Sequence, residues 1–194
     1  PAPMKGENLY NVLYGTTFKF DRSKVPAEID ALTAKVKEEY AAGKNEGKKH
    51  RILITGCPNS GVRDKIIKTV EELGADVVAF DCCNGTREKV EPVDENMPIY
   101  DALAKKYLNI NCSVMSPNNS RMQYIDEMID EYQVDGVIEI ILQACHTYNI
   151  ESHYVKQTVT NKGKSYLMIE TDYSQADKGQ ILTRLEAFLE TLEK

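Results

Sequence analysis

Arg51-Ile-Leu-Ile-Thr-Gly56, a helical stretch from Val62 to Leu73 closed by Gly74, and Asp76-Val-Val-Ala-Phe-Asp81 together decide the fold reading. The first and third segments are short apolar runs with strand character, and the middle one ends at a glycine as helices commonly do. This is a strand–helix–strand unit. The pattern continues outward with helices over Pro98 to Tyr107 and Arg121 to Tyr132, and a third strand, Gly136-Val-Ile-Glu-Ile-Ile-Leu142. A helix from Thr147 to Val159 leads to the strand Ser165-Tyr-Leu-Met-Ile-Glu170. The terminal helix, Gly179 to Leu192, carries Ile181, Leu182, Leu185, Phe188, Leu189 and Leu192 on its apolar stripe.

Nearly continuous apolar strands that alternate with helices are the mark of a parallel sheet covered on both faces. The expected fold is α/β: a four-stranded parallel sheet with helices on both faces, of flavodoxin-like or Rossmann-like form. Before it, Ile29, Leu32, Val36 and Tyr40 recur at helical spacing after Pro26, and Gly43-Lys-Asn-Glu-Gly-Lys-Lys49 reads as a solvated linker. Residues 1–24, punctuated by Pro3, Gly6 and Gly15 and without a sustained period, read as an extended lead-in from a preceding domain. Residues 25–194 are then the C-terminal α/β domain of a larger subunit, and the absence of an initiator Met at Pro1 fits a piece of something longer.

The 194 residues suit one main domain. A net charge of −6, with basic and acidic residues interspersed, provides no basic stripe for a phosphate backbone, so nucleic acid is not an expected partner. No apolar run reaches the roughly 18 residues of a membrane span, and no signal-peptide pattern opens the chain. A cytoplasmic protein without a membrane partner is expected. Five cysteines, an odd count without a spaced framework, agree with a reducing compartment.

Ligands in open α/β sheets collect at the carboxyl ends of the strands. Here those ends read Thr55-Gly-Cys-Pro-Asn-Ser-Gly61, Asp81-Cys-Cys-Asn-Gly-Thr-Arg87, Gln143-Ala-Cys-His-Thr-Tyr-Asn149 and Glu170-Thr-Asp-Tyr-Ser174. Thiolates select iron–sulfur clusters, zinc or copper, and ligands from separate loops can converge without a CxxC spacing. Cys145 is the foremost candidate ligand because it ends the third strand where a helix begins, and a helix N-terminus lowers a thiol pKa. Cys82 and Cys83 follow; adjacent side chains in extended chain point oppositely, so only one is expected to reach the site. Cys57 and Cys112 read first as small apolar packing residues. His146 is a candidate to orient a ligand or move a proton, with a capping role as the alternative. Arg87 is a candidate anion anchor for a phosphate or carboxylate, with an ordinary ion pair as the alternative. Glu170 and Asp172 are weaker acid–base candidates, and Asp172 equally suits a turn cap. The Cys57-Pro-Asn-Ser-Gly61 turn lacks a full phosphate-binding glycine pattern. A Cys145–His146 nucleophilic dyad ranks low because neighbours in sequence rarely face each other.

These segments, with the Pro1-Ala-Pro-Met-Lys-Gly6 opening, Val134-Asp-Gly-Val-Ile138, Leu142-Gln-Ala-Cys-His-Thr-Tyr-Asn-Ile-Glu151 and Ile169-Glu-Thr-Asp-Tyr-Ser174, resemble the C-terminal half of the 2-hydroxyglutaryl-CoA dehydratase D-component family. That family also includes benzoyl-CoA reductase subunits and double-cubane-cluster proteins. The resemblance implies two similar α/β domains per subunit and an iron–sulfur cluster, [4Fe-4S] or double cubane, held between them by cysteines. It further implies a homologous second subunit or homodimer partner, an ATP-dependent iron–sulfur activator protein, and an acyl-CoA or small-molecule substrate. The ligand position of the family falls on Cys145, with the other ligands expected mainly from the other domain. The His146-Thr-Tyr-Asn-Ile-Glu151 run and the doubled Cys82-Cys83 are similar to the double-cubane branch, whose members resemble reductases of small molecules. From other classes, an electron-transfer or docking module and a stand-alone nucleotide- or flavin-binding domain stand as alternatives.

Overall fold

The computed structural model describes residues 1–44, 47–57, 62–83, 85–87 and 91–193. Asn45 and Glu46 of the expected linker, the Pro58-Asn-Ser-Gly61 turn and Asn84 lie outside the described residues. Four strands, β1 (Arg51–Gly56), β2 (Asp76–Asp81), β3 (Gly136–Leu142) and β4 (Ser165–Thr171), form one sheet in the order β2-β1-β3-β4. All three strand pairings are parallel. The helices are α1 (Gly6–Thr17), α2 (Val25–Ala41), α3 (Arg63–Glu72), α4 (Ile99–Leu108), α5 (Asn119–Glu131), α6 (His146–Asn161) and α7 (Lys178–Leu192).

Strand alternation divides the core. Ile52, Ile54, Ile138 and Ile140 turn to one face, where they meet Tyr10 of α1, Ile66 and Val70 of α3, and Ile181, Leu185 and Phe188 of α7. Leu53 and Val137 turn to the other, against Ile125, Met128 and Ile129 of α5 and Val155 and Val159 of α6. Each fully buried aliphatic side chain stabilises the fold by about 1.5–3 kcal/mol. Two-faced burial explains why the strands read as unbroken apolar runs. No helix among the described residues is long and apolar enough to cross a membrane.

The strand order has a functional consequence. After β1 the chain adds β2 on one side and then crosses back to add β3 on the other, so the topological switch point lies between β1 and β3. Gly56 closes β1 at this point with φ of +107°, and a Cβ there would stand 2.1 Å from the Ile140 carbonyl oxygen. Only glycine permits so close an approach of the two strand ends.

The N-terminal segment departs from the sequence reading. Residues 1–24 are not extended throughout: Gly6–Thr17 is a helix whose Tyr10 is buried in the core against Phe80. The expected punctuator Gly6 instead allows contact with β2, since a Cβ there would lie 2.4 Å from the Val77 oxygen. Lys5 supplies no cap; the Glu71 carboxylate of α3 accepts from the N–H of Gly6 at 2.5 Å and of Glu7 at 3.3 Å. The signal that starts this helix is thus held 65 residues away, beyond any local pattern. The amphipathic helix expected from Pro26 to Tyr40 does form as α2, yet none of its residues is fully buried.

Candidate functional site at the strand ends

Asp81, the last residue of β2, organises a buried polar network beneath the carboxyl edge of the sheet. Its carboxylate accepts from Thr55 Oγ1 at 2.7 Å, Arg87 Nε at 2.8 Å and Arg121 Nε at 3.1 Å. Burial pushes Asp81 up, but the two guanidinium groups outweigh it and hold the carboxyl well below its usual range. Arg121, fully buried at the start of α5, also pairs with Glu151 of α6 and donates to Thr55 Oγ1 at 2.8 Å. Glu139, in the middle of β3, stands 3.8 Å from Arg121 and accepts from Tyr166 Oη at 2.6 Å. Burial pushes Glu139 up to about 7, with Tyr166 and Arg121 opposing only in part.

This network aims one group at the edge. Tyr148, on the first turn of α6, accepts from Arg87 Nη1 at 3.2 Å, lies under the Arg121 guanidinium at 5.1 Å, and places its hydroxyl 4.0 Å from Cys83 Sγ. Arg87, read as an anion anchor, turns inward: Nε and Nη2 donate to Asp81 and Nη1 to Tyr148. Its charge is spent inside the fold, because a guanidinium buried beside a carboxylate pairs with it first.

The five thiols separate by placement, and none is in a disulfide. Cys82 is fully buried in the core on the α1, α3 and α7 face, whereas Cys83, its neighbour, is half-buried at the edge beside Tyr148. Cys57 and Cys145 straddle the switch point and share a small apolar cluster with Ile141 and Tyr148. Burial pushes Cys57 up to about 12, and its Sγ accepts from Leu142 N at 3.4 Å. Cys145 occupies the N-cap position of α6, after Ala144 with φ of +65° turns the chain. Partial burial pushes its thiol up, but N–H groups of Tyr148 and Thr147, the Thr147 hydroxyl at 3.6 Å and the Cys57 thiol outweigh this and lower it. Cys112 is half-buried in the segment between α4 and α5. His146 is exposed at the start of α6, and Glu170 is exposed on β4. Asp172 caps a turn, accepting from Ser174 N at 2.7 Å.

The donor chemistry fits a thiolate-bound cluster in part. Cys145 is half-exposed with a lowered pKa, as a ligand requires, and Cys83 opens on the same edge. Among the described residues no three His, Cys, Asp or Glu side chains converge as a complete metal site.

The family model described as 2-hydroxyglutaryl-CoA dehydratase, D-component, matches residues 1–192. The chain belongs to this family. It is 45% identical over 193 residues to the putative dehydratase subunit YjiM of Escherichia coli, covering 99% of this chain and 50% of that protein. To the (R)-phenyllactyl-CoA dehydratase beta subunit of Clostridium sporogenes it is 30% identical over 149 residues, 76% of this chain and 38% of that one. To the (R)-2-hydroxyglutaryl-CoA dehydratase subunit beta of Acidaminococcus fermentans it is 25% identical over 175 residues, 84% and 45% respectively. This D-component-family chain spans about half the length, or less, of the curated relatives it matches.

The sequence reading located the edge and its cysteines but missed Asp81, Arg121, Glu139, Glu151 and Tyr148 as a unit. One signal was present: Glu139 interrupts an otherwise apolar strand, and a carboxylate inside a two-sided sheet needs a cationic partner.

Proposed function

We propose that the chain is part of an iron–sulfur subunit of a 2-hydroxyacyl-CoA dehydratase-like enzyme that works by ATP-driven one-electron reduction. It acts beside a homologous second subunit or a second copy, with an ATP-dependent activator protein, in the cytoplasm. The observation that carries this reading is the half-exposed Cys145 thiol, lowered in pKa, at the switch point of a family member. A bound [4Fe-4S] or double-cubane cluster would supply one-electron transfer and an open coordination position.

The chain's own residues do the rest. Cys145 presents its thiol at the N-cap of α6, and Cys83 is the second thiol on the edge. Arg87 acts through Tyr148, holding its hydroxyl toward Cys83. The Asp81–Arg121–Glu151 network fixes the start of α6 against β2 and α5, so the edge keeps one geometry. His146, exposed beside Cys145, is placed to take or give a proton at its imidazole.

A second reading, a double-cubane type reductase of small molecules, is favoured by the doubled Cys82-Cys83 and the run after Cys145. Anaerobic purification of the full-length protein, with iron and acid-labile sulfide assays on wild type and Cys145→Ala, tests the shared claim. Stoichiometric iron that falls in the variant supports it. Iron-free wild type refutes it in favour of a docking module, and iron with turnover of a reducible small molecule but no CoA thioester selects the reductase.

A further inference from the structure

A cavity of about 470 Å³ opens between the Ser113–Asn118 segment and α6. Its α6 wall is Thr147, Ile150, Glu151 and Tyr154, the three- and four-residue spacing of a single helix face. Val114, Met115 and Met122 face them. The volume lies within the roughly 300–1,000 Å³ usual for small-molecule sites. Ile150 and Val114 are 71% and 69% exposed, so this apolar lining is open to a ligand rather than folded into the core.

We infer that this cavity seats the uncharged, apolar side chain of a small hydroxyacyl ligand and rejects one that carries a second carboxylate. The inference rests on the reading that places the reaction beside Cys145. Thr147 links the two: its Oγ1 is 3.6 Å from Cys145 Sγ and 3.5 Å from Ser113 Oγ. No Lys, Arg or His lines the cavity among the described residues. Its one carboxylate, Glu151, is already taken by Arg121 and by Asn118 Nδ2. A carboxylate on the ligand would therefore lose water and meet no cation. An apolar branch or ring loses nothing of that kind.

Asn118 is held in place at the cavity wall: its Nδ2 donates to Cys112 O at 2.9 Å and Glu151 Oε1 at 2.5 Å, and its Oδ1 is shielded from solvent, so it offers a ligand no free donor. A cleft of about 500 Å³ at the opposite edge of the sheet, with Lys5, Lys35, Lys44 and Lys49 on its walls, has no such link to Cys145.

The test is NMR titration of the full chain with ¹³C-labelled methionine methyls, Met115 and Met122 reporting on the cavity and the buried Met128 on the fold. The probe is 2-hydroxy-4-methylpentanamide, an uncharged stand-in for a thioester. Saturable shifts at Met115 and Met122 are expected. Binding should weaken at least about tenfold for 4-amino-3-hydroxy-4-oxobutanoate, where a carboxylate replaces the isopropyl group. Ile150→Arg, at an exposed position, should abolish binding and leave Met128 unchanged. Absent shifts, equal affinity for the carboxylate isostere, or undiminished binding by Ile150→Arg would overturn the inference. The readout needs no iron, so an iron-free protein that still binds the probe would refute the proposed function and leave the cavity standing; the converse result would do the opposite.

Discussion

Nε of Arg121 lies 3.1 Å from Oδ2 of Asp81, and both side chains are fully shielded from solvent. One cation thereby joins the end of β2 to α5 and, through Glu151, to α6. Removing one partner of a buried pair leaves an uncompensated charge. Arg121→Met should therefore cost about 3–5 kcal/mol in urea unfolding followed by far-UV circular dichroism. Lys162→Ala, which removes exposed pairs to Asp126 and Asp130, should cost far less, because solvent screens those pairs. Equal losses would contradict the placement of Arg121 at the centre of the network.

Glu139 makes stability depend on pH near neutrality. Its pKa is raised from 4.5 to about 7, so the folded state holds the proton more tightly than the unfolded one. The contribution is complete below about 4.5 and is lost as pH rises through about 7. At about 1.4 kcal/mol per pH unit the loss is at most roughly 3.5 kcal/mol. Asp81, lowered, works in the opposite sense and only at acid pH, where its contribution is lost as the pH falls. Wild type should lose stability from pH 5 to pH 8 relative to Glu139→Gln, whose profile should be flatter; parallel profiles would show that Glu139 is not the titrating group.

Much of this was legible in the sequence. Each of the four strands was marked by an apolar run, and parallel order followed from their alternation with helices. Helix α1 was hidden because its cap, Glu71, comes from α3 and its glycine at position 6 serves close packing rather than a turn. At the site, strand ends alone put Cys145 and the Cys82–Cys83 pair on the edge, but which of the pair faces it followed only from the packing, with Cys82 in the core and Cys83 beside Tyr148. Arg121 and Glu151 could not be placed in this way: a charged residue on a helix reads as solvent-facing until the partner that buries it is known.

Lys65 fastens the loop after β4. Its fully buried Nζ shares its three N–H groups among four oxygens within reach, Thr171 Oγ1 at 2.7 Å, Asp172 O at 2.7 Å, Ser174 O at 2.6 Å and Asp177 Oδ1 at 2.8 Å. Lys65→Met should raise amide hydrogen exchange across Thr171 to Lys178 by about ten- to a hundredfold, while β1 and β3 change less. Unchanged exchange in that loop would show that Lys65 does not hold it.

The thiols should differ in reactivity. With iodoacetamide at pH 8 in native buffer, Cys145 should be alkylated faster than Cys57, because Cys145 is half-exposed with a lowered pKa and Cys57 is buried and pushed up to about 12. Peptide mass spectrometry resolves the two; comparable rates would remove the electrostatic distinction between them.

The central claim is that Cys145 is a cluster ligand and Cys82 a core residue. Electron paramagnetic resonance of the reduced full-length protein, purified without oxygen, compares wild type with Cys145→Ala and Cys82→Ala. The account predicts an iron–sulfur signal in wild type that is retained in folded Cys82→Ala and lost or altered in Cys145→Ala. A signal unchanged by Cys145→Ala would contradict it.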